Sequence, residues 1–395
     1  MPSRSEFGRH WALDPGTVFL NHGSFGACPT AVLEEQAQLR ALLESDPMAF
    51  FLERGPPLWQ RAIHSLSEFV GADPAGMTFQ VNATAGVNTV LRSLDLRPGE
   101  EVLVSDHAYR ACHNAVDYAC ARAGAKVVVV PIPFSVESAD QVVDAWLRAV
   151  TGRTRLAMIE TVTSPTGLRM PFEALTRGLQ ARGVDVLVDA AHGVGLLPLD
   201  LAALDAAYIT GNCHKWLCTP KGSGFLHIRA DRRDRIQPLA ISHGYSTEGD
   251  AGTRFRQQFD WQGTMDPTPW LCIPKAIDHL GSLMPGGWDA LMARNHALAL
   301  QAREILAAVL GADAVGPASM ITAMVTARLP ADTEPGPAAA FGTDPLQAVL
   351  YRQFRIQAVV FQWRPHAARY LRVSAALYNA EGEYRYLARA LDSVL

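Results

Sequence analysis

A chain of 395 residues is long enough for two or more domains around a large buried core. With 49% hydrophobic and 19% charged residues it reads as compact and globular, and a formal net charge of −4 offers nucleic acid no electrostatic footing. No early stretch has the apolar length of a signal peptide and no run approaches a membrane span, while six cysteines without a CxxC pair imply reduced thiols in the cytoplasm and no metal or disulfide framework.

After a polar arm, Thr17-Val18-Phe19-Leu20 predicts a short strand ending at Asn21-His22-Gly23-Ser24-Phe25-Gly26. Its glycines suit a tight turn, a close approach to a ligand, or an ordinary loop. Helices are predicted over residues 30–44 and 57–70. From Met77 the pattern alternates, with strands at 77–81, 101–105, 126–131, 156–162, 184–188 and 206–210. The intervening helices run from Asn82 to Leu94 and over 109–123, 140–150 and 172–182. Repeated βα units with β-branched strands predict an α/β fold, a mostly parallel sheet between helices, with ligands at the carboxyl ends of the strands. The basic cluster 229–235 is interleaved with acids and reads as a solvated loop. Beyond Asp266 the alternation weakens. Helices at 273–283 and 290–310, strands at 319–329, 358–361 and 369–374, a Pro/Gly/Ala-rich loop over 330–345 and a closing helix suggest a smaller α+β domain. The division is then 15–266 and 267–395, with the arm 1–14 packing on the latter.

Four polar clusters end strands of the large unit. Asn82-Ala83-Thr84 opens a helix whose free amides suit an anion, although plain capping by Thr84 is, for this cluster alone, the favoured explanation. Ser105-Asp106-His107-Ala108-Tyr109 offers two rings for a planar ligand or a structural turn. In Val186-Leu187-Val188-Asp189-Ala190-Ala191-His192 a carboxylate follows a buried run and needs a cationic partner, either a protein side chain or a protonated ring nitrogen. Lys215, in Asn212-Cys213-His214-Lys215-Trp216, sits between histidine and tryptophan ahead of the turn Gly222-Ser223-Gly224. Partial desolvation there would free its amine to attack a carbonyl. Anion cradle, flat ring, carboxylate and lysine are together the parts that hold pyridoxal 5′-phosphate.

These motifs resemble the class V aminotransferase-like branch of the fold-type I pyridoxal-phosphate enzymes, over nearly the whole chain, and within it the isopenicillin N epimerase-like group. Further points of likeness are Asp46-Pro47-Met48-Ala49-Phe50, Ser164-Pro165-Thr166-Gly167 and Arg372-Val373-Ser374-Ala375. The resemblance implies that Lys215 forms the internal aldimine and that Asp189 pairs with the pyridinium nitrogen. Ala83, Thr84, His214 and Asn212 would hold the phosphate. His192 would lie near the phenolic oxygen or the phosphate and Ser164 near that oxygen, and His107 would stack on the ring, with Tyr109 as its substitute. Arg372 would bind the substrate carboxylate, with Asn21 and His22 beside it. Gly263 and Thr264 would complete the phosphate site of a neighbouring subunit, so a homodimer is implied.

Two departures bear on function. Asn212-Cys213 stands where many relatives carry Ser-Gly, with Thr210 as a compensating hydroxyl. No cysteine follows Cys272, and Phe361-Gln362-Trp363-Arg364 occupies the region where desulfurases keep a mobile thiol. The resemblance therefore implies action at the α-carbon of an amino acid or amino-acid conjugate through an external aldimine, with an epimerase or racemase foremost. A cysteine-conjugate or sulfoxide C–S β-lyase comes next, then an aminotransferase. A non-catalytic binding subunit is disfavoured by the intact Asp189, His192, Lys215 and Arg372.

Overall fold

The computed structural model describes residues 1–312, 315–330, 344–363 and 368–395, so Arg364 and most of the loop expected at 330–345 lie outside the described residues. The strands are β1 (Val18–Phe19), β2 (Met77–Gln80), β3 (Glu101–Ser105), β4 (Lys126–Val130), β5 (Thr154–Glu160), β6 (Asp185–Ala190), β7 (Tyr208–Asn212), β8 (Gly224–Ile228), β9 (Met324–Arg328), β10 (Ile356–Gln357), β11 (Val359–Trp363) and β12 (Ala368–Ser374). The helices up to the middle of the chain are α1 (His22–Phe25), α2 (Thr30–Ser45), α3 (Pro47–Ala49), α4 (Gly55–Phe69), α5 (Ala83–Ser93), α6 (Arg110–Ala123), α7 (Ala139–Ala149) and α8 (Phe172–Gln180). They continue with α9 (Leu201–Leu204), α10 (Ala251–Phe259), α11 (Thr268–Leu271), α12 (Ile273–Ser282), α13 (Gly287–Leu310), α14 (Pro345–Phe354) and α15 (Glu381–Val394).

Seven strands form the main sheet in the order β2-β8-β7-β6-β5-β3-β4. The pairs from β7 across to β4 are parallel, while β2 and β8 run antiparallel to their neighbours and close one edge. Buried β-branched strands covered on both faces account for the parallel part. Alternate residues feed two apolar clusters: Ala157, Ile159, Val186 and Val188 join one, and Leu156, Met158, Leu187 and Tyr208 join the other with Val87 and Val90 of α5 and Val116 of α6. Each such side chain, fully buried, contributes about 1.5–3 kcal/mol. Continuing the second alternation past the apolar part brings Glu160, Asp189 and Asn212 out at the strand ends, on the face that α5 and α6 cover.

A second sheet, β11-β12-β9, is antiparallel, and β1 pairs in parallel with β10. The first twenty residues therefore lie against the C-terminal part. Ser5 donates its backbone N–H to the Tyr378 carbonyl at 3.0 Å, and Trp11 is buried with Leu280, Leu291 and Tyr378. Two local expectations change. The 229–235 cluster folds as a 3-10 turn over Ala230–Arg235 whose guanidiniums find fixed acids, Arg232 on Asp185 at 2.8 Å and Arg229 on Asp231 at 2.7 Å. Helix α14 was not expected; Asp344 caps it by accepting the Leu346 N–H at 2.9 Å. Among the described residues no helix is long and apolar enough to cross a membrane.

Candidate active site

The ends of β5, β6 and β7 and the start of α5 surround a cavity of about 350 Å³ into which Lys215 projects. The lysine follows β7 in a turn held from behind. Gly26, at φ +67°, packs so closely that a Cβ there would lie 2.4 Å from the His214 carbonyl oxygen and 2.7 Å from that of Lys215. His22 Nε2–H donates to the same Lys215 carbonyl at 3.0 Å, and His22 Nδ1 accepts from the Tyr378 hydroxyl at 2.8 Å. These contacts fix the backbone and leave the side chain to the cavity.

The lysine amine meets His192. Nζ lies 3.1 Å from His192 Nε2, and Trp216 Nε1–H donates to His192 Nδ1 at 3.2 Å. An indole N–H only donates, so Nδ1 must accept and the imidazole proton sits on Nε2. That N–H then points at Lys215, which can receive it only as a free amine. Burial agrees. It pushes the Lys215 pKa down to about 8 against the opposing pull of Asp189, and it holds the His192 pKa well below its ordinary value.

Asp189 forms the floor of the cavity. Its Oδ1 accepts the Ala191 N–H at 2.9 Å and its Oδ2 accepts from the Cys112 thiol at 3.4 Å; burial raises its pKa. Glu160 lines the same floor. At the start of α5, Asn82 is the cap, accepting the Ala85 N–H at 2.8 Å, and so takes the role considered for Thr84. Asn212 Oδ1 accepts the Ala83 N–H at 2.8 Å, which leaves the Thr84 N–H as the amide of that turn without a partner among the described residues. His214 donates Nδ1–H to the Ser223 carbonyl at 2.7 Å, keeping Nε2 for the cavity, and burial lowers its pKa to about 4.

Arg372 arrives from β12. Its guanidinium donates to the Ser164 carbonyl, to Ser24 Oγ at 2.9 Å and to Asn21 Oδ1 at 3.4 Å, while Nε has no partner. It is 4% exposed and no carboxylate pairs with it among the described residues. Burial lowers its pKa to about 10. A buried cation with only neutral acceptors is a site awaiting an anion.

Several expected residues lie elsewhere. His107 does not face the cavity: it is fully buried, with Nδ1 on Thr166 Oγ1 at 2.9 Å, Nε2 donating to the Ile132 carbonyl at 3.1 Å and Trp363 against its ring. Tyr109, two residues on, lines the cavity instead, its ring centroid 6.0 Å from Lys215 Nζ. His22 and Asn21 stand behind the lining, the first clamping Lys215 and the second steadying Arg372. Thr210 spends its hydroxyl on the Phe225 carbonyl at 2.7 Å, so it does not replace the missing serine. Gly263 borders a separate, largely apolar cavity of about 440 Å³ between Phe50, Trp59 and Trp270, which shares no lining residue with the first.

The class-V aminotransferase profile matches residues 59–332. The chain is 35% identical to isopenicillin N epimerase of Streptomyces clavuligerus, over 97% of this chain and 96% of the relative. The chain belongs to the class-V aminotransferase family. It is thus a pyridoxal-phosphate-dependent enzyme. A putative L-cysteine desulfhydrase of Oryza sativa subsp. japonica is 29% identical over 99% of this chain and 85% of its own length. Among solved structures, the cystine C–S lyase C-DES, in complex with its product cysteine persulfide, superposes with a TM-score of 0.78 at 21% identity, covering 96% of this chain and 98% of that one. Among the described residues, this class-V member presents at and beside one cavity a helix amide without a partner, a buried carboxylate in no ion pair, a buried guanidinium without an anion and a lysine amine of lowered pKa. The amide, the carboxylate and the lysine fit the cofactor's phosphate, ring nitrogen and carbonyl carbon.

Proposed function

We propose that this protein is an epimerase or racemase working at the α-carbon of an amino acid or amino-acid conjugate. The observation that carries the proposal is Lys215 Nζ, its pKa lowered to about 8 by burial and its amine facing the His192 ring, in one cavity with Asp189 and near Arg372, which has no carboxylate partner among the described residues. The likeness to isopenicillin N epimerase puts epimerisation first.

Thr84, Asn212 and His214 would hold the cofactor phosphate, Asp189 the ring nitrogen, Tyr109 a ring face, and Ser164 with His192 the phenolic oxygen. Bound there, pyridoxal phosphate supplies an electron sink that acidifies the α-hydrogen of an amino acid. Arg372 binds the substrate carboxylate through two N–H groups. Lys215 Nζ takes the α-proton once its lone pair turns from the His192 Nε2–H toward the substrate, and inversion is completed by a proton delivered to the opposite face. Asp189 holds the proton at the ring nitrogen. The proposal includes a homodimer in which Gly263, at φ +124° beside open space, and Thr264 extend to a second copy's phosphate.

A C–S β-lyase is the second reading, supported by the desulfhydrase likeness. Persulfide transfer has no support: of the six cysteines only Cys112 lines the cavity, and burial and the Asp189 charge raise its thiol pKa while it donates to Asp189. Amino acids incubated with the loaded protein in deuterated water distinguish the readings. Deuterium at the α-carbon with inverted configuration is the expected result. Pyruvate release would put the lyase first, and keto-acid formation alone would overturn both.

A further inference from the structure

The mechanism above leaves Glu160 unused, although it lies in the cavity floor. Parallel pairing of β5 and β6 puts Glu160 directly opposite Asp189, and both side chains leave the sheet on the face covered by α5 and α6. Neighbouring strands stand about 4.8 Å apart, so two carboxyls meet in one buried place. Glu160 is 2% exposed and Asp189 4%. Their surroundings differ. Asp189 has a donor on each oxygen, the Ala191 N–H and the Cys112 thiol. Glu160 Oε2 has the distant Ser105 hydroxyl at 3.4 Å, the residue's own backbone N–H adds a weak pull, Oε1 has no hydrogen-bond partner, and no cation pairs with it among the described residues.

The groups facing the pair are few. From the β3 end come Ser105 and the Asp106 charge, from α6 the Cys112 thiol, and from the turn after β7 the Lys215 amine, whose charge acts on Asp189. The charges that act most on Glu160, those of Asp189 and then Asp106, are both negative. Two buried carboxylates on directly paired residues disfavour joint ionisation, and the one with the weaker donors keeps the proton.

We propose that Glu160 and Asp189 act as a pair holding one proton, with Glu160 the neutral member, so that the cavity floor carries a single negative charge matched to one protonated ring nitrogen. Glu160 is a positioning residue that keeps Asp189 the lone anion. The match to a ring nitrogen rests on the proposed use of pyridoxal phosphate; the proton count does not. Burial, then the Asp189 charge, moves the Glu160 pKa up to about 8, in keeping with this assignment.

The test is infrared spectroscopy of the full-length protein stripped of cofactor. Wild type minus Glu160→Gln at neutral pH should show a protonated carboxylic-acid carbonyl band that fades as pH passes about 8. In Asp189→Asn the same band should fade at a pH lower by about one unit or more, because the neighbouring charge is gone. A carboxylate band in place of the acid band at neutral pH would overturn the proposal, as would an unmoved midpoint in Asp189→Asn. If Glu160→Gln fails to fold, the carboxyl-carbon resonances of glutamate-labelled wild type give the same reading: one glutamate titrating near pH 8 supports the pair, and none overturns it. Neither measurement depends on turnover, so the pair can stand where the epimerase reading falls.

Discussion

Replacing Trp216 by phenylalanine keeps a ring in place but removes the N–H that now donates to His192 Nδ1 at 3.2 Å. Two consequences follow, with different sizes. The buried Nδ1 loses its donor, which costs about 1–3 kcal/mol of stability. The imidazole can also move its proton to Nδ1, turning Nε2 into an acceptor 3.1 Å from Lys215 Nζ. A neutral acceptor beside a charged donor contributes about 1.5–3 kcal/mol, and at 1.36 kcal/mol per unit this raises the lysine pKa by roughly one to two units from its starting value. Wild-type Lys215 becomes a free amine as pH rises through about 8; the variant does so only at higher pH. The pH dependence of reductive methylation at Lys215 in the cofactor-free protein reads the midpoint directly, and nitrogen-15 shifts of the His192 ring report the proton's position. A variant that is less stable yet keeps the wild-type lysine midpoint and the Nε2–H form would refute the argument, because Trp216 would then be packing alone.

Arg372→Gln should weaken kcat/KM for an amino acid by about 2–5 kcal/mol, chiefly through KM, because the carboxylate loses its charge partner; unchanged steady-state kinetics would contradict the assignment. His214 has a free-state pKa near 4 with Nδ1–H already committed to Ser223, so its Nε2 can donate to an anion only after taking up a proton. Sulfate binding to the cofactor-free protein should weaken as pH rises above that value, by about tenfold per unit until the bound form also loses the proton, and His214→Asn should flatten the slope. Isothermal titration across pH decides it. Gly26→Ala forces a Cβ onto the His214 and Lys215 carbonyls at a positive φ. The backbone alone costs about 1–2 kcal/mol, and the lysine turn must also shift. A variant with wild-type chemical stability and lysine midpoint would show that the contact is unimportant.

The parallel sheet was legible because its strands are runs such as Val186-Leu187-Val188, buried on both faces. The antiparallel edge was not, since nothing in Met77–Gln80 specifies direction; that follows from pairing with β8. Within the site, Asp189 and Lys215 stood out because a charge ending an apolar run carries its own burial argument. Glu160 ends Met158-Ile159 in the same way, and the reasoning applied to Asp189 would have found it. His107 and Tyr109 are two residues apart, and which ring turns inward depends on the Thr166 and Ile132 partners that hold His107 outside. His22 misled for a related reason. A histidine in a glycine-flanked turn reads as ligand-facing, yet its partners, Lys215 and Tyr378, are 193 and 356 positions away. Nothing in the sequence marks Trp216 as a donor, because that role exists only once His192 is beside it.

The clamp behind Lys215 joins early and late segments of the chain. Tyr378 holds His22, Ser374 Oγ accepts the Gly23 N–H at 3.0 Å, and the Ser374 N–H reaches back to the Leu20 carbonyl at 2.7 Å. Contacts of such separation form late, after loop closure has been overcome. The main sheet can thus assemble before its reactive amine is set in place. During synthesis the Tyr378 and Ser374 part of this clamp cannot form until residues 374–378 have emerged. The full brace behind the reactive amine is therefore completed only with the last part of the chain.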